Sequence, residues 1–270
     1  MQNIFREVNI TKRFFFLLII CLCVISLCSS TVYSAEQTFS WYCVRNKEHK
    51  QPMADPNMKF IENYGGYYVD KNHGDSCEDK VIYLTFDAGY ENGNVERILN
   101  VLKEQDVTAA FFVLENLILK NGDLIKRMVD EGHLVCNHTS KHLDVTKCET
   151  VDEFRTELER LENVFKECTG VEMPKYFRAP EGKFSESSMK FASQLGYKTI
   201  FWSFAYADWD NDKQMSGSAA KEKIMSNIHN GEIMLLHPTS KTNADILSDI
   251  ICELKAQGYR FGTLDELVGA

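Results

Sequence analysis

Between Val81 and Leu267 the apolar residues follow two alternating patterns. Short apolar runs occur at 81–86, 108–113, 134–138, 176–180, 198–203 and 232–237, with another opening at Tyr259. Between them, at 94–105, 124–132, 151–170, 188–196, 219–231 and 245–258, apolar residues return every third or fourth position. The first pattern predicts strands, the second helices with one buried face. Gly132 and Gly170 close two of the helices, as glycine does where the chain must turn left-handed.

Strands without polar alternation need cover on both faces, which parallel sheets receive from the helices that connect their strands. The predicted fold class is therefore α/β, a closed or nearly closed (β/α) barrel. No repeat, low-complexity tract or linker interrupts the series, so one domain is expected over 80–270. The lead at 36–79 shows no sustained period and is expected to be an extension packed on the barrel.

At the start of the chain, Lys12 and Arg13 precede an uncharged apolar run at 14–28, and small and hydroxyl residues follow up to Ala35. These are the parts of a secretory signal peptide over 1–35. No charge lies between Arg13 and Glu36, so an uncleaved membrane anchor fits as well. Either way the basic flank stays inside and the body is exported, to the cell wall or the outer face of the membrane.

Composition adds exclusions. The 270 residues are 44% apolar and 26% charged, ordinary for a globular protein, here expected to be a monomer. A net charge of −9 argues against nucleic acid and suits a small neutral ligand or a sugar polymer. Cys21, Cys23 and Cys28 lie in the apolar run, leaving Cys43, Cys77, Cys136, Cys148, Cys168 and Cys252 widely spaced with no CxxC pair. That spacing argues against a zinc ribbon. Cys136 and Cys252 read as buried apolar residues, and no disulfide pairing is assigned.

In a parallel barrel the working face lies at the carboxyl ends of the strands. Those ends carry Asp87, His138 with His142, Arg178, Asp208 with Trp209, and His237. On a helical turn His138 and His142 would face the same way and could grip one cation, although H-x-x-x-H is a common chance pattern. Asp87 follows an apolar strand, where an unpaired carboxylate is costly. A general base there competes with an ordinary turn or cap residue, and Asn92 or Asn94 could supply the cap instead. His237 is either a satisfied core histidine or a general acid whose tautomer and pKa Asp208 sets. Arg178 cannot lose its proton and would orient Asp87 and keep it ionised; the bland alternative is a surface ion pair.

Taken in order, "TFDAG", "HTSKH", "RAPEG", "ADW" and "LLH" resemble the five motifs of the polysaccharide deacetylase family, the NodB-homology carbohydrate esterases, over 80–270. The resemblance implies a distorted (β/α) barrel and a metal-assisted hydrolase of N-acetyl groups. By position it makes Asp87 the base, His138 and His142 the metal ligands, and His237 the acid, with Arg178 and Asp208 tuning the two. It places an oxyanion-binding backbone N–H near Glu181, a wall of the acetyl pocket at Trp209, and Tyr90 and Glu91 among the substrate-binding residues. Zinc is the expected metal, with cobalt, manganese or nickel as alternatives.

Two positions depart from the motifs. Ala88 stands where the family has its third ligand, an aspartate, which implies a weaker metal site. Ala205 stands where the fourth motif opens with an acid. The stretches "GYENGN", "SWYCVRNKEHKQP", "FRAPEGKFSE" and "LLHPTSKTNAD" resemble one branch of the family, the N-acetylmuramic acid deacetylases of endospore formers. In that branch a residue other than aspartate holds the second place of the first motif. The implied substrate is peptidoglycan glycan strands, and the implied reaction precedes muramic-δ-lactam formation in the spore cortex during sporulation. Deacetylation of N-acetylglucosamine in peptidoglycan or chitin-like chains, hydrolysis of a small amide, and an inactive wall-binding protein are the alternatives.

Overall fold

Residues 36–45 and 48–270 are described by the computed structural model, and 37–270 cluster as one unit. The expected leader, with Cys21, Cys23 and Cys28, falls outside the described residues. Among those described, no helix is long and apolar enough to cross a membrane.

The lead contributes short strands β1 (Thr38–Ser40), β2 (Cys43–Val44), β3 (Met53–Ala54) and β4 (Gly66–Tyr67). Then follow β5 (Lys80–Ala88), α1 (Asn94–Glu104), β6 (Ala110–Val113), α2 (Glu115–Lys120), α3 (Gly122–Asp130), β7 (Leu134–Asn137), α4 (Val151–Thr169) and β8 (Tyr176–Phe177). The chain continues through β9 (Lys183–Ser185), α5 (Glu186–Gln194), β10 (Lys198–Ile200), α6 (Gly217–Met225), β11 (Glu232–Leu236), α7 (Lys241–Ala256), β12 (Tyr259–Phe261) and α8 (Leu264–Val268).

The main sheet runs β11-β5-β6-β7-β8-β10-β4, with β12 also on β5, and its pairings are parallel. Val81 accepts from the amide of Gly231 and Ile82 from that of Gly262, so β11 and β12 lie on opposite edges of β5. The two ends of the sheet meet through single bridges, Val69 to Glu232 and Phe204 to Met234, which nearly closes the barrel.

One strand was hidden in the lead. Gly66–Tyr67 is a full member of the main sheet, paired with β10, so 36–79 is more than a packed extension. Two residues are too few to carry a readable period.

Alternation along β5 decides what reaches the barrel interior. Ile82, Leu84, Phe86 and Ala88 join the cluster formed with the outer helices, whereas Val81 and Tyr83 join Phe112, Ile200 and Ile233 inside. Thr85 and Asp87 share the parity of Val81 and Tyr83, so the strand points them inward. Helix α1 covers the outside with Val95, Ile98, Leu99 and Leu102, and α4 buries Phe154, Leu158, Leu161 and Phe165. Each such side chain contributes about 1.5–3 kcal/mol on burial. Thr150 caps α4, and Gly170 ends it with φ 79°.

Among the described residues Cys43, Cys77, Cys136, Cys148, Cys168 and Cys252 are free thiols. Cys136 is buried as expected, but Cys252 is exposed. It falls on the outer face of α7, where the apolar neighbours Ile250 and Ile251 masked its position.

Candidate active site

Asp87 ends β5 beside Arg178, which follows β8. Arg178 Nη1 donates to Asp87 Oδ1 at 2.8 Å, Nη2 to Thr85 Oγ1 at 2.9 Å, and Nε to the Ile200 carbonyl at 2.8 Å. The guanidinium also lies 4.1 Å from the centre of the Phe112 ring. Arg178 is fully buried, so the surface ion pair considered from sequence is not what the fold builds. Burial works against an ionised Asp87, but the charge and hydrogen bond of Arg178, with His237 beyond, more than offset it and hold the carboxyl below its ordinary value.

His138 and His142 are brought together by a loop, not by the expected helical turn. Thr139 and His142 take left-handed conformations, φ 68° and 59°. Asn137 Oδ1 accepts from the Thr139 amide at 2.9 Å, and Thr139 Oγ1 from that of Leu143 at 3.0 Å. Ser140 donates to Glu115, which Arg160 grips through two nitrogens at 2.7 and 2.8 Å. Thus α2 and α4 both anchor the loop. The two imidazoles cross edge to face with ring centres 5.2 Å apart.

His138 Nδ1 donates to the Arg178 carbonyl at 2.9 Å, which leaves Nε2 with its lone pair, 3.6 Å from Asp87 Oδ2. Burial pushes this imidazole down to about 4, against the pull of Asp87, so it is neutral at physiological pH. A neutral imidazole with its far nitrogen anchored is the form that binds metal. The donor chemistry of His138 and His142 therefore fits a divalent cation, while the methyl of Ala88 adds no ligand. Among the described residues no group of three or more His, Cys, Asp or Glu side chains is placed to hold a metal.

On the far side, His237 follows β11. Its Nδ1 donates to Asp208 Oδ1 at 2.7 Å and its amide to Asp208 Oδ2 at 2.8 Å, so Nε2 is the free nitrogen. Burial would lower this imidazole, but the hydrogen bond and charge of Asp208, with Asp87 behind them, hold it above its ordinary value. His237 is no plain core histidine, because its imidazole is 25% exposed and lines a cleft.

That cleft has two lobes sharing Asp87, His138, His142, Trp209 and His237. The larger, about 560 Å³, is completed by Glu181, Gly182, Trp202, Ala205, Tyr206 and Leu235. The smaller, about 200 Å³, is bounded by Ala88, Gly89, Tyr90, Leu114 and Thr239. Glu181 adopts φ 58°, while the amide of Gly182 is already bonded to Ala179 and that of Lys183 to Pro180. This leaves the Glu181 amide as the candidate oxyanion donor in the turn. Trp209 is 60% exposed, its ring centre 6.1 Å from that of His237. The Tyr90 hydroxyl accepts from Asn211 at 2.7 Å.

Glu91 is placed elsewhere. Its carboxylate turns back to the Gly93 amide at the start of α1 and lies outside both lobes. It shares the start of α1 with Asn92, whose Oδ1 accepts from the Asn94 amide at 3.3 Å, the cap expected of that residue. The Asn92 and Asn94 side chains also donate to the Thr239 carbonyl, at 2.9 and 3.0 Å, tying the Asp87 loop to the His237 loop. Sequence reading also missed Thr85, Trp202 and Asn243. Only Thr85 had a signal, its period-two relation to Asp87 on one strand.

A family model for polysaccharide deacetylases matches residues 74–200. The chain is 39% identical to the peptidoglycan-N-acetylmuramic acid deacetylase PdaA of Bacillus subtilis, covering 86% of each protein. It is 35% identical to the peptidoglycan-N-acetylglucosamine deacetylase PgdA of Listeria monocytogenes over 71% of this chain and 39% of that one. The structure of Bacillus subtilis PdaA, a family 4 carbohydrate esterase, matches with a TM-score of 0.80 at 38% identity, over 86% of this chain and 97% of that one. The chain thus belongs to the polysaccharide deacetylase family. Its curled parallel sheet is the (β/α) barrel of that family, and it is a carbohydrate esterase.

Proposed function

We propose that this protein removes the acetyl group from N-acetylmuramic acid in peptidoglycan, leaving a free amine and acetate. Two tuned groups facing one cleft from opposite sides support the chemistry: Asp87, whose ionised form Arg178 favours, and His237, whose protonated form Asp208 favours. The choice of muramic acid rests on the similarity to PdaA, which runs through most of both proteins, whereas similarity to PgdA covers a smaller share. The export signal and a role before lactam formation in the spore cortex belong to the same proposal.

Asp87 takes a proton from the attacking water as its oxygen bonds to the acetyl carbon. The carbonyl oxygen gains the negative charge and is met by the Glu181 amide. His237 gives its Nε2 proton to the sugar nitrogen as the C–N bond breaks, and acetate leaves. A divalent cation, zinc by preference, held by His138 and His142 would supply Lewis-acid polarisation and a more acidic attacking water. Trp209 covers one side of the reacting centre and limits bulk water.

The test is digestion of purified peptidoglycan, with and without chelator, followed by assignment of the deacetylated sugar. Acetyl loss from muramic acid is expected, and loss from glucosamine alone overturns the preference. Ala88 favours one rival, a glycan binder without turnover; binding with no acetate released would establish it.

A further inference from the structure

Asn243 sits in the first turn of α7, 1% exposed, with its amide bonded to the capping Ser240 at 3.1 Å. Its Nδ2 donates to Asp208 Oδ2 at 2.6 Å and to the His237 carbonyl at 3.1 Å. Its Oδ1 accepts from the hydroxyl of Tyr206. Asp208 Oδ2 and the His237 carbonyl can only accept, whereas Tyr206 has a proton to give, so one orientation of the carboxamide satisfies all three.

The consequence falls on Asp208. Its Oδ2 is pinned by two donors, the His237 amide and Asn243. The carboxylate therefore cannot rotate, and Oδ1 stays on His237 Nδ1. A carboxylate free to turn would offer the imidazole a variable partner, and Nε2 would no longer be held toward the cleft.

We propose that Asn243, itself locked by Tyr206, is a positioning residue that fixes Asp208 and through it sets the orientation and acidity of His237. This rests on the reading of His237 as the proton donor. The charged groups facing His237 are Asp208, Asp87 and Arg178, and of these only Asp208 touches Asn243.

Asn243→Asp sets a second carboxyl against Asp208, so the pair shares a proton and the imidazolium loses part of its support. Tyr206→Phe leaves the carboxamide unlocked and should act more weakly in the same direction. The experiment follows the His237 ring by NMR titration in the full-length protein, alongside kcat and KM against pH on peptide-stripped peptidoglycan strands.

For Asn243→Asp the expected result is a lower His237 midpoint, an alkaline limb of kcat moved to lower pH, and kcat reduced by at least about tenfold. KM should stay within about twofold. Unmoved midpoint and limb in the folded variants would overturn the proposal, even if activity fell. If Asn243→Asp does not fold, Tyr206→Phe decides by the same criterion. The NMR readout needs no turnover: a shifted midpoint in a protein whose wild type releases no acetate would leave the positioning role standing and remove the hydrolytic one.

Discussion

Arg178 and Asp87 form an ion pair at 2.8 Å in which the guanidinium is wholly buried and the carboxylate is 10% exposed. The pair is tied to the interior of the barrel at Thr85, Ile200 and Phe112. Its geometry favours the ionised carboxylate that the proposed role of Asp87 as base requires.

Replacing Arg178 by Met should therefore do two things. The fold loses about 3–5 kcal/mol, the usual result of stranding one member of a buried pair. Asp87 then rises, because burial is no longer opposed, and the acid limb of kcat/KM moves to higher pH. In the wild type the depressed carboxyl stabilises the fold above the ordinary carboxylate range, and this is lost as pH falls through its lowered value. Acid unfolding of the variant should accordingly show a weaker dependence on pH; an unchanged acid limb would refute the tuning role.

The proposed role of His237 as acid requires its protonated form, which Asp208 favours to higher pH. Asp208→Asn should bring the alkaline limb of kcat to lower pH and reduce kcat by about 10²-fold or more. A variant with full kcat above neutral pH would exclude His237 as proton donor.

Ala88→Asp restores the carboxylate position that the motif lacks. Zinc titration by calorimetry should show binding at least about tenfold tighter, since even an outer-shell partner is worth ~10–100-fold. Activity of the wild type should fall at a chelator concentration the variant withstands. Equal affinities would mean that a carboxylate at position 88 does not reach the metal.

Glu232 is wholly buried at the start of β11, its Oε1 unpartnered among the described residues, and burial raises its carboxyl well above the ordinary value. The folded protein keeps this proton where the unfolded chain has lost it, so stability declines as pH rises above the ordinary carboxylate range. Glu232→Gln should raise Tm at pH 8 and leave it unchanged at pH 4, with each kcal/mol worth about 2–4 °C. Equal melting shifts at both pH values would contradict it.

The barrel was legible because each of its long strands is apolar on both faces and each helix repeats at three and four. Asp87, Arg178, Asp208 and His237 stood out as polar residues ending such runs. Their pairing was anticipated from chemistry, but the distances depend on strands far apart in sequence. The His138–His142 loop was read as helical because spacing of four has that default meaning. Two left-handed residues and a Glu115–Arg160 anchor, invisible to spacing, decide otherwise. Glu91 was assigned to substrate through likeness, whereas the open amides of α1 claim it. Asn243 had no signal of its own, since its role exists only once α7 lies behind Asp208.

The arm before the barrel has a practical consequence. Strand β1 pairs with β9, the Trp41 amide donates to the Gly182 carbonyl at 2.7 Å, and its indole donates to the Trp202 carbonyl at 2.8 Å. At Gly182, φ 63°, an added methyl would sit 2.6 Å from the Trp202 ring and 3.1 Å from Trp41 Cβ. A recombinant fragment trimmed past Trp41 would keep every reacting side chain and still lose the buttress behind Glu181. Fusion partners and purification tags should join upstream of Thr38, or the glycan groove will be misshapen before any substrate is added.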